Sequence, residues 1–174
     1  MAMPVQLESN KAQRPLDRLL QRSVVAAAGF MNRGAFKVVT GAVRRLSSSG
    51  AQTMVRLAPD SLFSFPLGDN YWSKAVFLKS DYEPEIRRLL MAVRDIPYVF
   101  IDCGANYGYW SVQVTGKQFG AHRAVAIEAA QSNVPQLEAN ARLNGGRFEV
   151  LHRAVFSRSG ETLQIYGKNH FGLT

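Results

Sequence analysis

The chain has 174 residues, of which 47% are hydrophobic and 20% charged, and its formal net charge is +8. This length allows one main hydrophobic core, and the composition excludes an intrinsically disordered or collagen-like chain. The only cysteine, Cys103, excludes an internal disulfide, and the three histidines are too scattered for a metal site. We therefore predict a metal-free globular protein of the reducing cytoplasm.

The positive charge is concentrated in an N-terminal arm, residues 1–50, which has eight Lys or Arg against two acids. Residues 51–174 have thirteen against eleven, and this near balance argues against a nucleic-acid partner. The most apolar stretch of the arm, Val24–Met31, is too short for a transmembrane helix. We therefore predict no transmembrane segment.

Two helices are predicted in the arm, the second over residues 35–46. The first has a predicted apolar face of Leu16, Leu19, Leu20, Val24 and Ala27, opposite Arg14, Arg18 and Arg22. Such a basic amphipathic helix packs on its own domain with its arginines solvated, or it lies on a membrane surface or a partner. The pattern favours packing on its own domain, with the membrane surface or a partner as the alternative.

Residues 51–80 alternate between apolar and polar side chains, with turn residues at 58–60 and 67–70, which predicts short antiparallel strands. From residue 81 onward, helix and strand alternate. The first helix of this part is ended by Pro97, and apolar runs at 98–101, 124–127 and 148–151 predict three buried parallel strands separated by helices.

The order strand, helix, strand, helix, strand is half of a doubly wound, Rossmann-like α/β sheet. Residues 81–174 are therefore predicted to be the first half of such a domain, after the arm and the short strands. The strand at 98–101 would leave an unpaired sheet edge, which predicts poor solubility or self-association.

The segment Asp102-Cys103-Gly104-Ala105-Asn106-Tyr107-Gly108 lies directly between the first of these strands and a helix. Glycine allows a tight turn here and lets a ligand approach the main chain. An acid at the strand end can accept hydrogen bonds from an amino group, such as that of the methionine part of S-adenosylmethionine. The alternative is a tight connection that binds no ligand.

Glu128 follows Gly108 by twenty residues and ends the next strand, where a carboxylate can hold both hydroxyls of a ribose. Its alternative is an ordinary solvated loop acid. The dinucleotide fingerprint G-x-G-x-x-G is not met, because Asn106 and Tyr109 stand at its second and third glycine positions. The pattern therefore favours a nucleoside ligand over NAD.

The stretch from Asp102 to Ser111 resembles the D-x-G-A-N-x-G-x-x-[ST] signature of the FkbM family of S-adenosylmethionine-dependent methyltransferases. Similarity extends over about residues 80–167, including Tyr82-Glu83-Pro84-Glu85, Asn140-Ala141-Arg142-Leu143-Asn144-Gly145 and Ala154-Val155-Phe156-Ser157. The resemblance implies O-methylation of a hydroxyl on a sugar or secondary metabolite, so the expected partner is a small-molecule or glycan acceptor.

The resemblance also implies which residues bind the cofactor S-adenosylmethionine: Asp102, Gly104, Ala105, Asn106, Tyr107, Gly108, Glu128 and Ala154. In this assignment the Asp102 to Gly108 turn lines the methionine end, Glu128 holds the ribose, and residues near Ala154 approach the adenine. We name no catalytic residue. A non-catalytic nucleoside-binding or interaction module, docked through the basic arm, is the alternative function.

Two features depart from the family pattern. Ala129 stands where members commonly have proline, and the chain reaches Thr174 before the fourth strand with its Lys-Ile-Asp-Val-Glu-Gly-like segment. We therefore expect a truncated domain whose acceptor-binding residues and general base belong to the part that would follow.

Three further expectations concern residues around the motif. Cys103 is predicted to be a small buried filler. The aromatic residues Tyr109, Trp110 and Phe119 are predicted to pack in the core. Asn140 and Asn144 are predicted to face solvent or cap their helix.

Overall fold

The computed structural model describes residues 6–8, 13–78, 82–158 and 160. The chain divides into two compact units, the first made of Met1–Leu57 with Ser64–Arg88 and the second of Ala58–Phe63 with Leu89–Thr174. The fold is mixed α/β, with a three-stranded parallel sheet in the second unit.

Two helices, α1 (Pro15–Phe30) and α2 (Arg33–Leu46), lie in the first unit, as the sequence predicts. Proline at the first position of α1 has no N–H that would need a partner there. The Asn32 side chain caps α2 by accepting hydrogen bonds from the N–H groups of Gly34 and Ala35. The helices pack around a core of Val24, Ala27, Phe36, Val43 and Leu67.

The predicted apolar face of α1 is partly wrong. Leu16 and Leu19 are exposed, whereas Asp17 and Gln21 are buried beside Val24. The cause is the loop after α2, where the Ser48 N–H donates to Asp17 Oδ1 at 2.9 Å and the Ser48 hydroxyl donates to Oδ2. These bonds satisfy a buried carboxylate and turn the leucines outward.

Three strands form an N-terminal sheet in the order β1 (Gln6–Leu7), β2 (Gln52–Ala58) and β3 (Ser61–Pro66), with β1 antiparallel to β2. The prediction of strands over 51–80 is wrong beyond Pro66, because Asn70–Phe77 is a helix, α3. Asp69 starts this helix by accepting a hydrogen bond from the Trp72 N–H at 2.9 Å.

The second unit has the predicted alternation of strand and helix. Its parallel strands are β4 (Val99–Cys103), β5 (Arg123–Glu128) and β6 (Phe148–His152), in that spatial order. Helix α5 (Tyr109–Val114), followed by a short 3-10 helix, connects β4 to β5, and α6 (Val134–Leu143) connects β5 to β6. A further helix, α4 (Pro84–Ala92), precedes β4 and ends five residues before Pro97.

One face of the parallel sheet is buried and the other is open within the described residues. Ala126 and Phe148 are buried on the face that α5 and α6 contact, and Trp110 and Phe119 are buried as predicted. On the opposite face Val99 and Ile101 are exposed, although parallel strands are usually covered on both sides. Cys103 shares this open face and is exposed, so its prediction as a buried filler is wrong.

Candidate functional site

The predicted binding residues lie at one edge of the parallel sheet, where the carboxyl ends of the strands meet. The Gly104 to Gly108 turn follows β4, and Glu128 is the last residue of β5. Ala154 is exposed and lies two residues beyond the end of β6. The register pairs Glu128 with His152, so all three strands end at nearly the same level.

The backbone of the turn has three residues with left-handed conformations. Gly104 and Gly108 both have φ +81°, and Asn106 between them has φ +52°. Glycine adopts this conformation without strain, and asparagine tolerates it better than most residues. The N–H groups of Gly104 and Ala105 both donate to the Ile127 carbonyl, at 2.9 and 3.0 Å, which fastens the turn to β5.

The two glycines of the turn have different surroundings. A Cβ at Gly108 would lie 2.6 Å from Leu137 Cδ1, so this glycine lets α6 pack closely against the turn. A Cβ at Gly104 would have no other atom within 4 Å. Gly104 therefore leaves open space beside the main chain, as the approach of a ligand requires.

The Glu128 side chain joins the turn to the loop after β5. Its Oε2 accepts a hydrogen bond from the Asn106 N–H at 2.7 Å, and its Oε1 accepts one from the Ala130 N–H, also at 2.7 Å. The residue is only 7% exposed, so the alternative of a solvated loop acid is wrong. A carboxylate offers about four acceptor positions, so these bonds leave capacity for two more donors.

Asp102 lies at the end of β4, half-buried, with its carboxylate held by α5. The buried Ser111 hydroxyl donates to Asp102 Oδ2 at 2.7 Å. Ser111 closes the signature that resembles the methyltransferase family, yet the sequence analysis did not include it among the site residues. The hydrogen bond makes it a positioning residue for the Asp102 carboxylate.

Asn140 is a second positioning residue that the sequence analysis missed. Its side chain is fully buried, and its Nδ2 donates to the Tyr107 carbonyl in the turn at 2.8 Å. The prediction that it faces solvent or caps the helix is therefore wrong. Spacing could have revealed its burial, because Asn140 shares a helix face with Leu137 and Ala141, both of them buried.

Asn144, one turn further along α6, is also buried. Its side chain accepts a hydrogen bond from the Leu62 N–H at 2.9 Å and donates to the Leu62 carbonyl at 2.7 Å, as a neighbouring strand would. It ends α6, as predicted, but does not face solvent. Inside the second unit it therefore fixes the start of β3 to the C-terminal end of α6.

The loop after β6 is tied to the loop after β5. The Arg153 N–H donates to the Glu128 carbonyl at 3.1 Å, and a ring nitrogen of His152 lies 3.3 Å from the Ala129 carbonyl oxygen. Ala129 stands where the resemblance would place proline. The residues on either side of it, Glu128 and Ala130, are both held by hydrogen bonds. These bonds bring the segment leading to Ala154 to the same edge as Glu128.

Two absences apply to the described part of the chain. It contains no group of three or more His, Cys, Asp or Glu side chains that could hold a metal ion. None of its helices is both long and apolar enough to cross a bilayer.

Comparison with known proteins finds no match: no family model fits the sequence, and no curated protein or solved structure is significantly similar to the chain. The chemistry of the site must therefore follow from its own residues. These are two carboxylates at the ends of adjacent strands and a glycine turn that is open on one side.

Proposed function

We propose that the chain binds S-adenosylmethionine at this edge and is the cofactor-binding half of a Rossmann-like methyltransferase domain. The observation that carries the proposal is that Asp102 and Glu128, at the carboxyl ends of adjacent strands, both adjoin the Gly104 turn: Asp102 lies two residues before Gly104, and Glu128 accepts the Asn106 N–H. Carboxylates are acceptors only, so they complement a ligand that presents an ammonium group and two ribose hydroxyls.

The same residues argue against a dinucleotide. A pyrophosphate would have to approach the turn next to the Asp102 carboxylate, and like charges repel at such a distance. The open space beside Gly104 suits the main-chain approach of the methionine part of the cofactor. A cationic nucleoside is therefore favoured over an anionic one.

Bound S-adenosylmethionine would supply an electrophilic methyl group. In the proposed site Asp102 and the turn hold the amino-acid end, while Ser111 fixes the Asp102 carboxylate through its hydroxyl. Glu128 takes the ribose hydroxyls with the acceptor positions that Asn106 and Ala130 leave. The exposed segment around Ala154 would contact the adenine. The resemblance to the FkbM family supports a hydroxyl on a small molecule or glycan as the acceptor.

Calorimetry with two ligands tests the ribose assignment. S-adenosylhomocysteine and its 2′,3′-dideoxy analogue are titrated into the wild-type chain and into Glu128→Gln. Hydrogen bonds to a charged group contribute about 1.5–3 kcal/mol, so the wild type should bind the dideoxy analogue roughly ten- to a hundredfold more weakly. Glu128→Gln should lose most of this discrimination, whatever it does to the stability of the turn.

Glu138→Gln is the matched control, because Glu138 is an exposed acid on α6 whose partner is Arg142. It should discriminate between the two ligands as the wild type does. Equal discrimination in Glu128→Gln would remove Glu128 from the ribose site. A well-folded wild-type chain that bound neither ligand at millimolar concentration would contradict the whole proposal. Binding without methyl transfer from labelled cofactor to hydroxyl acceptors would favour the non-catalytic nucleoside-binding module.

A further inference from the structure

The outer surface of the α1–α2 hairpin has only one sign of charge. Over residues 13–50 the exposed charged side chains are all cationic: Arg14, Arg18, Arg22, Arg33, Lys37, Arg44 and Arg45. The one acid in this range, Asp17, is buried, bonded to Ser48 and paired with Arg14 at 3.3 Å. The cations therefore face solvent with no exposed acid of the hairpin to balance them.

Large apolar side chains share this surface. Phe30, at the end of α1, is 93% exposed, and Leu19 is 61% exposed. Leu16, Leu19, Ser23, Ala26 and Phe30 follow one another at intervals of three or four residues. This spacing places them along one side of α1, with Arg18 and Arg22 beside them. Exposed Val38 and Leu46 add apolar surface on α2.

The opposite side of each helix is already used for packing. Val24 and Ala27 of α1, and Phe36 and Val43 of α2, are buried in the core of the first unit. The exposed leucines and phenylalanine are therefore not part of the core of the first unit. An exposed apolar stripe beside clustered cations indicates a surface that meets a partner.

We propose that the α1–α2 hairpin docks on the surface of an anionic lipid bilayer, a role beyond the proposed cofactor binding. Clustered Arg and Lys meet anionic headgroups, while aromatic and aliphatic side chains enter the interfacial region. The phosphates of a nucleic acid would pair with the cations but would not bury a stripe of exposed leucines and valine. In the proposed arrangement both helices lie along the bilayer surface, with Phe30 inserted.

Vesicle sedimentation with the full chain tests the proposal. One set of vesicles contains phosphatidylcholine and phosphatidylglycerol, and the other contains phosphatidylcholine alone. The wild type should prefer the anionic vesicles at least about tenfold, and added salt should weaken the preference. The double variant Arg18→Gln/Arg22→Gln should lower partitioning by about an order of magnitude or more.

An apolar variant separates a membrane from other polyanions. Leu19→Ser/Phe30→Ser keeps every cation but should lower binding to anionic vesicles about tenfold or more, since it removes the inserted side chains. Leu89→Ser is its control, because Leu89 is also 61% exposed but lies on α4. Circular dichroism spectra equal to that of the wild type show that each variant is folded.

Arg88→Gln/Arg123→Gln is the control for charge, since it removes two exposed arginines outside the hairpin. It should bind anionic vesicles nearly as well as the wild type. Equal losses in this control and in Arg18→Gln/Arg22→Gln would overturn the proposal. So would equal binding to both kinds of vesicle. Binding to duplex DNA as tight as to vesicles, unaffected by Leu19→Ser/Phe30→Ser, would identify the surface as a nucleic-acid site instead.

Discussion

The Glu128 carboxylate accepts a hydrogen bond of 2.7 Å from the Asn106 backbone N–H, and so joins the end of β5 to the turn that follows β4. Asn106 has φ +52°, a conformation that costs a non-glycine residue energy and persists only where its surroundings hold it. One side chain therefore holds the shape of the turn, and in the proposed site it would also accept the ribose hydroxyls. The structural role can be tested by itself, on the chain without ligand.

Replacement of Glu128 by alanine should destabilise the chain without any ligand present. The N–H groups of Asn106 and Ala130 would both lose their acceptor, at about 1–3 kcal/mol each where water does not replace it. For a chain of this size, each kcal/mol lowers Tm by about 2–4 °C, so a fall of roughly 4–24 °C is expected by thermal circular dichroism. Glu138→Ala should lower Tm by no more than about 2 °C, because its ion pair is exposed. Equal Tm values for wild type and Glu128→Ala would contradict the anchoring role.

Three glycine-to-alanine variants should separate packing, ligand approach and backbone strain. All three glycines have positive φ, so each substitution carries a strain of about 1–2 kcal/mol. Gly108→Ala adds a clash with Leu137 and should be the least stable of the three in thermal unfolding. Gly104→Ala and Gly145→Ala meet open space, so their Tm values should be similar. Of Gly104→Ala and Gly145→Ala, only Gly104→Ala should also weaken S-adenosylhomocysteine binding, and equal binding by these two variants would remove Gly104 from the ligand site.

The strand order and the position of the turn could be predicted from the sequence, because both depend on local patterns. The apolar runs at 98–101, 124–127 and 148–151 are short, and glycine or asparagine residues separate them from the helices. Parallel strands then necessarily bring Asp102 and Glu128 to one edge. The side-chain partners of these acids could not be predicted, since Asn106 N and Ser111 Oγ reach them only through the tertiary fold.

The outward face of α1 and the helix at Asn70–Phe77 show the limit of periodicity. In α1, the apolar residues permit two faces, and the bond of Asp17 to Ser48, thirty-one residues away, decides between them. In α3, alternating side chains suggested a strand, but the Asp69 cap and the buried Trp72 favour a helix. In both helices, a polar contact made in the folded chain favours a structure other than the one that the apolar pattern predicts.

The stability of the first unit should decrease in acid through Asp17. The hydrogen bonds from Ser48 lower the pKa of the Asp17 carboxyl below its ordinary value of 3.8. A carboxyl whose folded pKa is depressed stabilises the fold above the unfolded pKa and loses that effect as the pH falls through the folded one. Asp17→Asn should therefore be less stable than wild type at pH 7, and the difference should shrink progressively below about pH 4. Chemical denaturation at a series of pH values measures it, and a difference independent of pH would exclude this role.

Self-association should occur through the open face and outer edge of the parallel sheet. Ile101 is 60% exposed on β4, and among the described residues β4 pairs only with β5, so backbone groups and apolar side chains are available to a second copy. Sedimentation velocity should show concentration-dependent oligomers of the wild type, and Ile101→Lys should weaken association roughly tenfold or more. Leu89→Lys places the same charge at a side chain that is 61% exposed on α4, and it should associate as the wild type does. A wild type that stayed monomeric at high concentration, or an equal effect of both lysines, would show that this sheet surface does not pair with another copy.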